Sequence, residues 1–246
     1  MSTNKFILDG RYGDLLQYYG INVEEALKKA GLPEDTFAHK TPILKEEEYY
    51  RFMQAVGDLT KDPAMALKIA STDRIESFSP PIFASYCAKN GRMCIERLAR
   101  YKKLIAPMQF MITEDEETLS VTLTPSQDDL KLPLFLVESE FVFLAHIIQM
   151  ATKEEIVPVA LTIAEEMNDP ELNTFFGGHV NLGKDNTITF RKEDLMKPFI
   201  SYNEAMWEYF QPEMNKRLAE LEVDDSTSAR VRSALSELLP RRSMWN

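Results

Sequence analysis

Two glutamates interrupt an otherwise apolar stretch at residues 133–151, and they are the residues best placed to do chemistry. The length and composition of this stretch predict a helix that is buried on nearly all sides. At about 100° per residue, Glu138 and Glu140 point roughly 200° apart, so both cannot share one narrow solvent-facing stripe. At least one carboxylate should face protein or a cavity, where it could act as an acid or base or hold a cationic ligand. The plainer interpretation stays open: one glutamate is solvated and the other binds an arginine or a backbone amide.

The cysteines and histidines are weaker indications of chemistry. Cys87 could be a nucleophile, but its neighbours in sequence include no basic cluster that would lower the pKa of its thiol. Cys87 and Cys94 form no CxxC pair, and His39, His146 and His179 lack the spacing of a metal site. The sequence also lacks the GxGxxG, GxxxxGK[ST], HExxH and GxSxG motifs. We therefore expect no enzyme activity, no metal and no cofactor.

The surrounding pattern predicts an α+β fold, mostly helical with a small antiparallel sheet. Asn22 and Gly31 have the positions of a helix cap and a helix stop, and the prolines before Ile82 should forbid a regular helix there. A helix over 93–105 should expose a basic face that includes Arg97 and Lys102. The other predicted elements are helices near 46–60, 63–70 and 82–88, a hairpin over 108–125, strands near 157–164 and 186–191, and final helices over 203–221 and 226–239.

The first of the final helices carries an apolar stripe. Its members recur at spacings of four, four and four residues, with one tryptophan beside them: Met206, Trp207, Phe210, Met214 and Leu218. Such a stripe usually packs on its own domain. Because the helix lies near the end of the chain and is rich in aromatic residues, a two-fold interface with a second copy is the alternative prediction.

Charge separates the body of the chain from its end. The sequence has 39 acidic and 28 basic residues, a net charge of −11, which argues against direct binding of nucleic acid by these residues. Residues 226–242 instead carry four arginines and one glutamate. The N-terminus lacks the apolar core of a signal peptide, and no apolar run is both uncharged and long enough to span a membrane. We therefore expect a cytoplasmic protein without a membrane partner.

Three stretches resemble a known family. They are MCIERLARYKKLI at 93–105, FFGGHVNLGKDNTITFRKEDLMKPFISYNEAMWEYFQPEMNKRLAEL at 175–221, and SARVRSALSELLPRR at 228–242. Together they are similar to the N-terminal regulatory domain of AraC/XylS-type transcriptional regulators, in the branch of ornithine-utilisation and virulence regulators. In one place the chain departs from the family pattern: residues 165–170, EEMNDP, stand where the family often has a histidine-bearing segment.

The resemblance implies a domain that binds a small effector and dimerises. Residues 1–222 would form this domain, and residues 223–246 would form a linker helix into a DNA-binding domain with two helix-turn-helix units. We expect either a piece of a longer protein or a naturally short relative, and the basic end favours the former. The effector would be fatty-acid-like or amino-acid-like, and we expect the cavity to be lined by Phe83, Tyr86, Met108, Phe110, Glu138, Phe141 and His146.

Two other functions stay open at this stage. A stand-alone binding protein or enzyme could use Glu138 or Cys87 on a bound small molecule. A structural dimerisation module would bind no ligand at all. The gene downstream of codon 246 separates the first alternative from a regulator, because two helix-turn-helix units there would identify a regulator.

Overall fold

The computed structural model describes residues 5–8, 11–38, 42–73, 79–167 and 169–238, with side chains described as far as residue 221. His39 lies outside these ranges. The first part of the chain is mainly helical. Its elements are β1 (Lys5–Ile7), α1 (Arg11–Tyr18), α2 (Val23–Ala30), β2 (Ile43–Lys45), α3 (Glu46–Leu59) and α4 (Met65–Ala70), with β1 and β2 forming a separate antiparallel pair.

Local sequence signals set the bounds of α2. The side chain of Asn22 accepts a hydrogen bond from the backbone N–H of Glu25, and Gly31 ends the helix at a φ of +68°. Both features agree with the prediction from the sequence. The left-handed conformation at Gly31 is one that glycine adopts without steric cost, so the helix ends there.

The next two helices are α5 (Pro80–Tyr86) and α6 (Gly91–Tyr101). The prediction that the prolines forbid a helix before Ile82 was wrong, because α5 begins at Pro80. The first N–H groups of a helix have no partner within the helix, so two prolines fit into its first turn.

A five-stranded sheet forms the other side of the domain. Its strands are β3 (Met108–Glu114), β4 (Thr118–Pro125), β5 (Ala160–Ile163), β6 (Val180–Leu182) and β7 (Asn186–Arg191), and their order is β3-β4-β7-β5-β6. The pairing is antiparallel except between β5 and β6, which are parallel. The predicted α+β class, mostly helical with a small sheet, is confirmed, although the sheet is mixed rather than wholly antiparallel.

Apolar and hydroxyl-bearing residues alternate along β4, so one face of this sheet packs against the core. Leu119, Val121 and Leu123 are buried, whereas the hydroxyl groups of Ser120 and Thr122 pair with threonine hydroxyls of β7 on the opposite face. Two short helices complete this part of the chain, α8 (Pro170–Phe175) after β5 and α9 (Lys192–Leu195) after β7.

Helix α7 (Leu134–Thr152) runs through the centre of the domain. It packs against α3, α4, α5 and α6, and Phe141, Leu144 and Ile148 are fully buried. Within the described ranges, α7 is also the one helix long and apolar enough to cross a membrane. However, 67% of its most apolar stretch is buried inside the protein. Burial of this extent is expected of a helix in the core of a domain.

The chain ends in one long helix, α10 (Glu204–Leu238). The sequence predicted two helices separated near residues 222–225, and this prediction was wrong. No glycine or proline occurs between residues 213 and 238, so nothing interrupts the backbone hydrogen bonding. The expected division between a domain and a linker at residues 222–223 therefore falls within a continuous helix.

Candidate functional site

Among the described residues, Glu46 and Glu138 are buried and Glu140 is largely buried, and the three differ in their partners. Glu46 accepts hydrogen bonds from the backbone N–H of Ser126 at 2.7 Å and from the Gln127 side chain at 3.1 Å. Glu140 binds the ammonium group of Lys102 at 2.5 Å. Glu138, which is 8% exposed, has neither a hydrogen bond nor a salt bridge with any described residue. The sequence predicted that at least one of Glu138 and Glu140 faces protein, and both do.

The environment of Glu138 disfavours its charged form. Burial raises the pKa of this carboxyl group to about 7, and the negative charge of Asp169 adds to the increase. A carboxyl group with a pKa near neutrality can exchange protons under physiological conditions, and it gains from the arrival of a cation. Among the described carboxyl groups whose pKa departs from its ordinary value, Glu138 is the one whose pKa is raised toward neutrality.

Asp169 caps the short helix α8. Its Oδ1 atom accepts hydrogen bonds from the backbone N–H groups of Glu171 at 2.8 Å and Leu172 at 3.2 Å. Its Oδ2 atom is buried and has no hydrogen-bond partner among the described residues, and Asp169 as a whole is 5% exposed. Buried carboxylate oxygens are normally satisfied, so this atom is an exception that needs a reason.

Asp169 also lines an open groove of about 470 Å³, which lies between residues 165–167 and 169–173 on one side and strand β6 on the other. Two more acidic residues, Glu165 and Glu166, lie at this groove. The rest of its lining consists of the amides Asn173 and Asn181 and the apolar residues Met167, Pro170, Val180 and Leu182. No basic residue occurs among these described lining residues.

The Lys102–Glu140 pair lies elsewhere in the core, among tyrosines. The Lys102 ammonium group is also 4.5 Å from the ring centroid of Phe110. Burial, followed by the charge of Glu140, raises the pKa of Tyr12. The sequence predicted that α6 and the turn after it expose a basic face. This prediction is wrong at two positions, because Lys102 is only 3% and Arg97 only 7% exposed. Each of these two cationic side chains contacts a partner inside the fold.

The environment of Cys87 is poorly suited to nucleophilic catalysis. Burial raises the pKa of the Cys87 thiol, an effect that the charge of Arg97 only partly offsets, so the reactive thiolate is disfavoured. Burial likewise raises the pKa of Cys94 to about 12. His146 Nε2 lies 3.2 Å from an oxygen of the exposed Asp73. Among the residues that the structure describes, no three metal-ligating side chains converge on a point that could hold a metal ion.

The predicted ligand-binding residues are spread over the domain. Met108 and Phe141 are fully buried, Phe110 and Tyr86 are nearly so, and the ring of Phe83 packs edge-on against Phe210 at 5.9 Å. None of the seven predicted residues lines the groove at Asp169. Their role in binding a ligand stays a prediction. The sequence did not predict the groove at Asp169. The unusual acidic segment at residues 165–170 was the signal in the sequence that could have pointed to it.

The stripe on α10 packs against α5 and α6 of its own chain. Met214 is buried, and Trp207, Phe210 and Leu218 pack around it with Ala84 and Tyr101. The Arg97 guanidinium lies 3.8 Å from the centre of the Trp207 ring, and the Tyr101 hydroxyl donates to Asn215 at 2.6 Å. Met206 is partly exposed beside this contact. The start of α10 is therefore attached to the domain through specific aromatic and polar contacts.

Comparison with solved structures gives a likeness in fold. The transcriptional regulator CdpR from Pseudomonas aeruginosa superposes with a TM-score of 0.51 at 13% sequence identity, over 78% of this chain and 60% of that one. The present chain thus spans about three-fifths of the length of that regulator. No curated protein sequence matches the chain.

A family model identifies most of the chain. Residues 20–199 match the family described as the arabinose-binding domain of AraC transcription regulators, N-terminal. The matched range extends from the start of α2 to the segment just before α10, and it includes the sheet, α7 and the groove. The family is one of regulatory ligand-binding domains. The chain therefore belongs to the N-terminal arabinose-binding domain family of AraC-type transcriptional regulators, as its sequence resemblance predicted.

Proposed function

We propose that this chain senses a small molecule, forms a homodimer, and thereby controls DNA binding by a C-terminal domain of a cytoplasmic regulator. Membership of the family supports the ligand-binding and regulatory part of this proposal. The net charge of −11 fits a chain that contacts DNA only through another domain. Fatty-acid-like, amino-acid-like and sugar effectors are the classes to consider, the last because of the family's name.

The attachment of α10 is the observation that carries the proposal. Trp207 packs against Arg97 and Tyr101 of α6, while Phe210 packs against Phe83 of α5. The same helix then continues to Leu238, well past these contacts. A ligand that shifts α5 or α6 would therefore shift the element that leads out of the domain. Such a coupling is typically worth about 1–3 kcal/mol, or roughly 5- to 150-fold in affinity.

A reporter experiment tests this coupling. The chain is fused to a monomeric DNA-binding domain, and transcription is measured with a panel of amino acids, amines, sugars and long-chain fatty acids. We expect at least one compound to change the output by about 5-fold or more. Trp207→Ala should keep the protein folded but remove most of this response, because α10 loses its contact with Arg97 and Tyr101.

Lys216→Ala is the matched control on the same helix, since Lys216 is exposed and has no described partner. Its response should equal that of the unmodified chain. If no compound changes the output, or if Trp207→Ala responds as strongly as Lys216→Ala, the proposed coupling through α10 is wrong.

Dimerisation through α10 gives a separate prediction. Replacing both Met206 and Phe210 with glutamate should convert the dimer to a monomer, because buried charges oppose association. Sedimentation equilibrium measures the mass, and circular dichroism shows whether the variant remains folded. Lys216→Glu serves as the control at an exposed position. Because Phe210 also packs against Phe83 of its own chain, the mass decides the test: an unchanged mass in a folded double variant would contradict an interface at these residues.

A further inference from the structure

The groove at Asp169 combines negative charge with apolar walls. Three of its nine lining residues are acidic and four are apolar, and none is basic. Its volume of about 470 Å³ lies in the range of small-molecule sites. A charge pattern of this kind repels carboxylate and phosphate groups and attracts ammonium and guanidinium groups.

Asp169 lines the groove and has one oxygen atom without a hydrogen-bond partner among the described residues. A surface carboxylate can be satisfied by water, but Asp169 Oδ2 is buried and has no hydrogen-bond partner in the described part of the chain. Leaving a buried charged acceptor unpaired costs free energy, and a cationic donor would recover it. The N-terminus of α8 cannot serve an anion instead, because Asp169 Oδ1 already accepts from its N–H groups.

Lys68 is a described cation that experiences the charge of Asp169, and it is already engaged by another residue. The ammonium group of Lys68 binds Asp62, and this hydrogen bond is the main reason that the pKa of Lys68 is raised. Asp169 acts on Lys68 only through its charge, together with Glu171. Glu138 adds a second buried carboxyl group whose charge interacts with that of Asp169. No described cation is therefore paired with Asp169.

We propose that the groove between residues 165–167 and 169–173 and strand β6 binds an organic cation, an ammonium or guanidinium group on an apolar body, with Asp169 as its principal anion. Glu165 and Glu166 attract the cation at the rim, and Met167, Val180 and Leu182 contact its apolar part. This inference rests on the proposed sensing function, for which it names the chemical class of the effector. It excludes a fatty acid from this groove.

Binding of 2-phenylethylammonium, followed by amide NMR shifts of the whole chain, tests the proposal. We expect the shifts to centre on residues 165–182. 2-Phenylethanol has a similar shape without the charge and should bind at least about 10-fold more weakly, because a hydrogen bond to a charged group contributes at least that factor. Mg²⁺ and 3-phenylpropionate serve as probes for a metal site and for an anion site.

Asp169→Asn is the decisive variant. Asparagine caps helices as well as aspartate does, so α8 should form while the charge is lost. We expect affinity for 2-phenylethylammonium to fall by about 10-fold or more. Glu165→Gln and Glu166→Gln lie at exposed positions and should each weaken binding by a smaller factor. Asp128→Asn removes one exposed carboxylate outside the groove, so its affinity should match that of the unmodified chain.

Several results would overturn the assignment. They are no shift at about 10 mM cation, equal binding of the neutral alcohol, tighter binding of Mg²⁺ or of the anion, shifts centred elsewhere, or unchanged affinity in Asp169→Asn. The outcome is separable from that of the reporter experiment. A reporter that responds to another class of compound, with no cation in the groove, refutes the groove alone. Cation binding without any reporter response refutes the sensing function alone.

Discussion

Replacing Lys102 with methionine should destabilise the domain by about 3–5 kcal/mol, the cost typical of breaking a buried ion pair. Lys102 is 3% exposed and its side chain contacts both Glu140 and the ring of Phe110. Without it, the Glu140 carboxyl group loses its ion-pair partner at a position where only 13% of its side chain is exposed. Urea denaturation at pH 7 measures the loss as a lower midpoint at an unchanged slope.

The double variant Lys102→Met with Glu140→Leu distinguishes the value of the pair from the cost of one unpaired charge. Replacing both members of a buried pair by apolar residues is often neutral or stabilising. We therefore expect the double variant to be more stable than Lys102→Met alone. Arg92→Met is the control, because Arg92 forms only exposed ion pairs, which contribute about 0–1 kcal/mol. Equal losses at Lys102 and Arg92 would contradict a buried pair.

Much of the fold was predictable because its signals are local. A cap at Asn22, a stop at Gly31 and the alternation of Leu119 and Val121 each specify their element within a few residues. The strands β1, β2 and β6 were missed. Each has only three residues and depends on a distant partner, so periodicity within the strand carries almost no information.

The sites depend on contacts between distant residues, and sequence patterns do not reveal these. Lys102 belongs by pattern to an exposed face, but Glu140, 38 residues away, accepts its charge inside the core. The burial of Glu138 was predictable from the apolar run around it. Its interaction with Asp169 was not, because no rule of spacing relates a position on α7 to the cap of α8.

Replacing Glu138 with glutamine should stabilise the domain at pH 8 by about 3 kcal/mol and have little effect below pH 4.5. The pKa of Glu138 rises from 4.5 to about 7 on folding, mainly through burial and then through the charge of Asp169. Between these values the folded state holds more protons than the unfolded state, so stability falls as the pH rises. Above pH 7 the cost of the buried charge is complete, and glutamine removes it.

The shape of this pH dependence separates titration from packing. Free energies of unfolding from urea denaturation, measured from pH 4.5 to 8 for both proteins, should diverge up to about pH 7 and then differ by a nearly constant amount. Glu116→Gln, at an exposed position in the β3–β4 turn, should follow the unmodified chain throughout. A difference that is constant with pH would mean that glutamine acts through shape or hydrogen bonding, and that Glu138 does not change its protonation on folding. A difference that grows up to about pH 7 and then levels off would show instead that the fold holds the carboxyl group protonated and lets it charge only above that pH, at a cost that a bound cation could offset.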